Sequence, residues 1–136
     1  MTIALRAAAA AVLAVGLAVP AASADARANN WTTVVNLHGA KVQACKVPTT
    51  KHGPWTIEVR VDARKATTAV RGSAEVDKRD LVVAGPWKPH RLQPGAMTKV
   101  HTMRMPRGSA YTFQGELETA TVGVGSAGPA SGISRC

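Results

Sequence analysis

Apolar and polar residues alternate strictly along two neighbouring segments in the middle of the chain. In segment 55–64 the odd-numbered positions are Trp, Ile, Val, Val and Ala, and the even-numbered positions are Thr, Glu, Arg, Asp and Arg. Segment 68–77 alternates in the same way, with Thr, Val, Gly, Ala and Val at its even-numbered positions. A period of two residues places the two sets of side chains on opposite faces of a β-strand. The short polar connection 62–67 predicts that the two strands pair as a β-hairpin.

Other strand-like segments lie on both sides of this pair, and no stretch beyond residue 30 has the 3.6-residue apolar period of a helix. About seven short strands separated by Gly and Pro turns predict an all-β fold, a single antiparallel β-sandwich over residues 31–136. A small closed barrel is the alternative. The tail 123–132, rich in Gly, Ala, Ser and Pro, is expected to be flexible by itself. The other predicted strands are 32–38, 40–47, 81–83, 97–105 and 111–119.

Residues 92–113 carry a recurring pattern of turns and strands. The chain has Leu92-Gln93-Pro94-Gly95, then a strand, then Pro106-Arg107-Gly108, then Tyr111-Thr112-Phe113. This order, L-x-P-G, strand, P-x-G, Y-x-F, resembles the late strands of bacterial immunoglobulin-like domains. The resemblance implies an immunoglobulin-like sandwich, and it carries no functional residues to this chain.

The first 26 residues have the organisation of a secretory signal peptide. Arg6 precedes the apolar stretch 7–19, which contains only Ala, Val, Leu and one Gly, and Pro20 ends it. Ala-x-Ala sequences at 22–24 and 24–26 suit the small pockets of signal peptidase. We therefore predict a signal-peptide helix over 1–26 and a secreted mature chain. The alternative is an uncleaved anchor, for which the stretch is shorter than the ~20 residues of a membrane span, and the mature chain has no transmembrane segment of its own.

Cys45 and Cys136 are the two cysteines of the chain. Because a secreted protein matures in an oxidising compartment, an even number of cysteines predicts one intrachain disulfide bond. That bond would close a loop of about 90 residues and contribute roughly 4–5 kcal/mol by restricting the unfolded chain. A disulfide-linked dimer and two free thiols are the alternatives, and we expect a monomer.

The formal net charge is +9, and removal of residues 1–26 leaves it unchanged because Arg6 and Asp25 cancel. Such a charge outside the cell favours an anionic cell-envelope polymer or an acidic protein as the partner. The basic residues are dispersed, without the run of five or six that is typical of a nucleic-acid-binding arm. The sequence thus predicts a basic binding module that acts at or outside the cell surface, and a merely solubilising charge is the alternative.

The best candidate for a binding site is the segment 85–95, which contains three prolines. Trp87 offers a large rigid face, and Lys88, His90 and Arg91 surround it with hydrogen-bond donors. If the segment protrudes as a rigid loop, the protein is alternatively a secreted inhibitor that presents it to a hydrolase. A structural role, in which Trp87 folds back over an open end of the sandwich, is the other interpretation.

Residues that could carry catalysis are scarce. The serines lack a G-x-S-x-G context, the glycines form no phosphate-binding loop, and the histidines and cysteines form no close pair. We therefore expect no enzymatic activity, no cofactor and no metal site. Glu116 and Glu118 share a strand face about 7 Å apart, which suits either a hydrolase pair or an ordinary solvated face. Trp31 and Trp55 are predicted to lie in the core.

Overall fold

The structure, a computed structural model, describes residues 30–48, 50, 52–106 and 110–136. The signal peptide predicted over 1–26, together with Arg107 and Gly108 of the P-x-G motif, lies outside the described residues. Within the described ranges, no helix has the length and hydrophobicity of a membrane span. A 3-10 helix, Ala130–Gly132, follows the last strand. The strands are β1 (Thr32–Leu37), β2 (Ala40–Pro48), β3 (Trp55–Asp62), β4 (Arg71–Lys78), β5 (Leu81–Trp87), β6 (His101–Met105), β7 (Thr112–Glu118) and β8 (Gly123–Pro129).

These strands form two 4-stranded antiparallel sheets. The first sheet has the order β1-β2-β3-β6, and the second has the order β5-β4-β7-β8. The prediction of an all-β, two-layered fold is therefore confirmed, and the chain forms two separate sheets rather than one closed barrel. Within the described ranges the strands number eight instead of about seven, because the glycine-rich tail also forms one.

Alternate side chains of both sheets meet in one apolar layer. Ile57, Val59 and Val61 of β3 point inward and are fully buried, as the two-residue period predicted. Phe113 and Leu117 of β7 face them from the second sheet and are nearly fully buried. Burying a side chain of this size contributes about 1.5–3 kcal/mol, so this layer supplies most of the stability of the fold.

Two glycines within strands allow the sheets to approach each other. A Cβ at Gly72 of β4 would lie 2.5 Å from Cγ2 of Val61, and a Cβ at Gly115 of β7 would lie 3.1 Å from Cγ1 of Val34. Since close-packed interiors tolerate little added volume, both positions need the absence of a side chain.

The predicted hairpin between segments 55–64 and 68–77 is wrong. β3 pairs with β2 and β6 in the first sheet, whereas β4 pairs with β5 and β7 in the second. The connection crosses between the layers and is held by backbone hydrogen bonds, among them Ala63 N to Ala96 O (2.9 Å) and Thr67 N to His38 O (3.0 Å). The alternation of apolar and polar residues indicates which side chains of a strand are buried. It does not indicate which other strand pairs with it.

The tail predicted to be flexible by itself is an ordered edge strand. Gly123–Pro129 pairs with β7 along its whole length, from Gly123 opposite Glu118 to Pro129 opposite Thr112. The backbone hydrogen bonds of this ladder offset the conformational entropy that a glycine-rich segment loses on ordering.

The predicted disulfide between Cys45 and Cys136 is confirmed, with Cα atoms 5.0 Å apart. It joins β2 to the C-terminal segment, which runs parallel to β2 beyond Thr32, the first residue of β1. Lys46 N donates to Ser134 O at 2.8 Å, and Cys136 N donates to Lys46 O at 3.1 Å. The disulfide therefore connects neighbouring segments of one sheet, and the C-terminal residues extend that sheet.

The close approach at Gly72 leads to a first prediction. Gly72→Ala should lower the free energy of unfolding by about 1–3 kcal/mol, because the added methyl group collides with Val61. Urea denaturation measures the change. Gly128→Ala is the matched control, since its Cβ would meet nothing within 4 Å, and it should leave stability unchanged or slightly increased. Equal stability of the two variants would contradict the packing described.

The disulfide leads to a second prediction. Replacing Cys45 and Cys136 together by alanine should lower the free energy of unfolding by about 4–5 kcal/mol, because the unfolded chain regains the freedom of a long loop. Hydrogen exchange at the amide of Cys136 should also accelerate. Wild-type protein held reduced by a phosphine should behave as the double variant does. A double variant as stable as the oxidised protein would argue against this role of the bond.

Candidate functional site

The segment 85–95, predicted as a binding loop, is tied to the sandwich. Its first residues form the end of β5, and Leu92 is buried and exchanges two backbone hydrogen bonds with Val70, at 2.7 and 2.9 Å. The half-buried Trp87 ring packs against the core and stacks on His101, with 5.3 Å between ring centroids and 5° between the planes. Trp87 thus covers the edge between β5 and β6 rather than an open end of the sandwich. An inhibitory loop would need to protrude from the domain. This segment is instead fixed to the sandwich at Trp87 and at Leu92.

The three basic residues predicted beside Trp87 are exposed. They are Lys88, His90 and Arg91. Lys88 lines a cleft on the outer face of the second sheet, Arg91 lines a smaller hollow beside it, and Glu118 lines both, whereas Trp87 lines neither. The structure therefore places Lys88 and Arg91 in hollows that Glu118 also lines.

The cleft lined by Lys88 is a polar hollow of about 440 Å³ over β4, β7 and β8. Glu116 and Glu118 alternate along its floor. Glu116 accepts a hydrogen bond from the Ser73 hydroxyl at 3.1 Å, and Glu118 forms an ion pair with Arg71 at 3.4 Å. Both carboxylates are exposed and both have a polar partner on β4, which is the arrangement of a solvated strand face.

Acidic residues concentrate on this outer face of the second sheet. Four of the seven carboxylates beyond residue 26 belong to it by register, on β4 and β7. Asp77 is buried and accepts a hydrogen bond from the amide of Gln114. Arg71 lies on the same face, opposite Glu118 in the register. The four are Glu75, Asp77, Glu116 and Glu118.

Five basic side chains lie at one end of the sandwich, where β2, β4 and β6 end and β3 begins. We call the five basic side chains there the basic end. Four are exposed and one is buried. The exposed ones are Lys78, Arg79, Arg104 and Arg135, and the buried one is Lys46.

A chain of contacts runs across the basic end from the second sheet to the first. Lys78 Nζ lies 5.2 Å from the ring centroid of Tyr111, and the carbonyl oxygen of Tyr111 accepts a hydrogen bond from Ala130 N. The next residue, Ser131, accepts a hydrogen bond from Lys46 Nζ at 2.9 Å. These contacts connect Lys78 of the second sheet to Lys46 of the first sheet.

At the centre of the basic end two cations contact the ring of Trp55. Lys46 Nζ lies 5.4 Å and Arg135 Cζ lies 5.3 Å from the ring centroid, within the range of cation–π attraction. Burial, with the nearby charge of Arg135 as the second cause, lowers the pKa of Lys46 below its ordinary value. Arg135 reaches this position because the C-terminal segment pairs with β2, which the spacing of residues in the sequence does not reveal.

The expected core positions of two tryptophans need correction. Trp55 is half-buried and packs against the edge of the core, with its ring contacted by Lys46 and Arg135. Trp31 lies outside the core cluster, half-buried, with Arg60 Cζ 4.2 Å from its ring centroid. Trp31 precedes β1, so it sits at the margin of the sheet and covers a buried guanidinium rather than the apolar layer.

One group of three potential metal ligands occurs among the described residues. The sulfur atoms of Cys45 and Cys136 and a carboxylate oxygen of Glu58 lie within 4.8 Å of one another. The two sulfurs are bonded to each other, and metal ligation requires thiolates. The disulfide therefore removes this group as a metal site in the oxidised protein.

Comparisons of the chain with protein-family models, curated proteins and solved structures found no match.

The environment of Lys46 leads to a third prediction. Arg135→Gln should raise the pKa of Lys46 towards its ordinary value of 10.5, because a neighbouring positive charge is removed while burial remains. An NMR titration of the lysine side chain measures this. Arg104→Gln, which keeps Arg135 in place, is the control. An unchanged pKa in Arg135→Gln would contradict the described repulsion.

The same lowered pKa determines the sign of a pH effect on stability. Because the folded protein disfavours the charged form of Lys46, this group destabilises the fold at low pH. That penalty is relieved as the pH rises from the folded pKa through the unfolded value.

Proposed function

We propose that this protein is a small secreted, non-catalytic module that binds an anionic component of the cell envelope through the basic end. The observation that carries the proposal is the cluster around Trp55, where Lys46 and Arg135 hold two positive charges against one aromatic ring. The disulfide between Cys45 and Cys136 and the predicted signal peptide support a location outside the cell, where such bonds persist.

Electrostatics explains why an anion would bind at this end. Lys46 and Arg135 repel each other, and burial of Lys46 makes its charged form unfavourable. A bound phosphate or carboxylate would offset both effects, and the exposed Lys78, Arg79 and Arg104 would attract further charges of a polyanion. The acidic face of the second sheet would orient the molecule by repulsion from the same polymer.

We also propose that the fold is a variant of the immunoglobulin-like sandwich with one additional strand. The order β5-β4-β7-β8 matches strands C′-C-F-G of that fold, and β1, β2 and β6 correspond to A, B and E. β3 is then the additional strand, inserted between B and E. Tyr111 directly precedes β7, the place of the tyrosine corner at the start of strand F, which agrees with the resemblance over residues 92–113.

A fourth prediction tests the binding function. The protein should be retained on phosphocellulose, an immobilised phosphate polymer, and should elute as salt rises from about 0.1 M to about 1 M, since the screening length falls from about 10 Å to about 3 Å. Replacing Arg104 and Arg135 together by glutamate should shift elution to clearly lower salt. The salt concentration at the elution peak is the measured quantity.

The control changes the net charge equally but away from the basic end. Lys65→Glu combined with Lys99→Glu alters two exposed lysines near the opposite end of β3 and before β6. This variant should elute much closer to wild type than the first one. Equal shifts in both variants would mean that net charge alone, rather than the basic end, governs retention. Retention of wild type that does not respond to salt would overturn the proposed function.

A further inference from the structure

The hairpin between β4 and β5 exposes a run of apolar side chains. Leu81 is 70%, Val82 is 49% and Val83 is 42% exposed. The turn before them has positive φ at Arg79 (51°) and Asp80 (62°), which gives the tight connection of a two-residue hairpin. Contiguous exposed apolar residues mark protein or membrane contact sites.

This apolar run lies beside the basic end. Leu81 is opposite Lys78 in the register of β4 and β5. Val83 lines a surface groove together with Arg104, and His52 and other residues before β3 line the same groove. Apolar side chains and exposed cations therefore alternate over a single surface.

The charge around the hairpin is predominantly positive. Lys78 and Arg79 lie just before the apolar run, Asp80 directly precedes Leu81, and the buried Asp77 lies opposite Val82. The nearby Arg104 and Arg135 are also exposed. A neutral apolar partner would leave these charges without a counter-ion, and a soluble phosphate polymer would leave three apolar side chains in water. An anionic lipid surface offers phosphates to the cations and an apolar layer to the three side chains.

We propose that the basic end docks on an anionic lipid bilayer, with Leu81, Val82 and Val83 inserted at the level of the headgroups. The inference rests on the proposed function and specifies its ligand. The hairpin tip enters the interface, while Lys78, Arg79, Arg104 and the cations around Trp55 contact the phosphates. Stable attachment to a membrane surface requires two signals, and this end supplies an apolar one and a basic one.

The test compares vesicle binding with polymer binding in the same set of variants. The oxidised protein is mixed with vesicles of phosphatidylglycerol and phosphatidylcholine in equal parts, or of phosphatidylcholine alone, and the sedimenting fraction is measured. Wild type should bind the anionic vesicles and not the neutral ones. Leu81→Ser combined with Val82→Ser should weaken this binding at least about tenfold and leave elution from phosphocellulose unchanged.

Val122→Ser provides the matched control. Val122 is 45% exposed and lies in the turn between β7 and β8, at the opposite end of β7 from Tyr111. Its replacement should leave vesicle binding unchanged. Because all variants share the same N-terminal residues, any contribution of that segment to vesicle binding is equal in each.

The outcomes separate this inference from the function on which it rests. Vesicle binding that persists in the Leu81 and Val82 double variant, or phosphocellulose retention without binding to anionic vesicles, would overturn membrane docking and leave a polymer as the ligand. Loss of the salt-dependent retention itself would overturn the proposed function. Equal loss of vesicle binding in Val122→Ser would show that exposed apolar residues act without regard to position, and would also overturn the inference.

Discussion

Burial of alternate side chains in a single layer between two sheets is the constraint on which the rest of the structure depends. Ile57, Val59 and Val61 from one sheet and Phe113 and Leu117 from the other fill this layer. A chain of this size has room for one such core, so every strand must present one face to it. The remaining faces, edges and ends are then available for charge.

Charged side chains occupy the surfaces that this layering leaves free. Glu116 and Glu118 lie on the outer face of the second sheet, and the cations of the basic end lie where β3 begins. The C-terminal segment completes this arrangement, since its pairing with β2 and the disulfide bring Arg135 beside Lys46 and Trp55. Residues that are far apart in the chain thus meet in one cluster of two cations and an aromatic ring.

Sequence patterns predicted where the strands lie in the chain better than they predicted which strands pair. Segments 32–38, 40–47, 55–64 and 111–119 form strands close to the predicted bounds. The hairpin assignment failed because β3 had two better partners in its own sheet. The tail was expected to be flexible only by itself, and its pairing with β7 was not predicted. The edge of β7 stabilises a glycine-rich strand because that strand satisfies the hydrogen bonds of the edge.

The sequence predicted the candidate site less well than it predicted the strands. The predicted group Trp87, Lys88, His90 and Arg91 is contiguous in the chain, but neighbours along an extended segment point in different directions. The cluster at the basic end joins residues from positions 46, 55 and 135, and its one signal in the sequence was the cysteine pair that brings the last of these close.

Local chemistry alone determined the inward and outward faces of the strands, the single disulfide and the net charge of +9, because each follows from residue type and a two-residue period. Tertiary structure decided which strands are neighbours, where the tryptophans lie and which charges come together. Those outcomes depend on distant segments competing for the same sheet edges, and that competition is resolved only when the whole chain has folded.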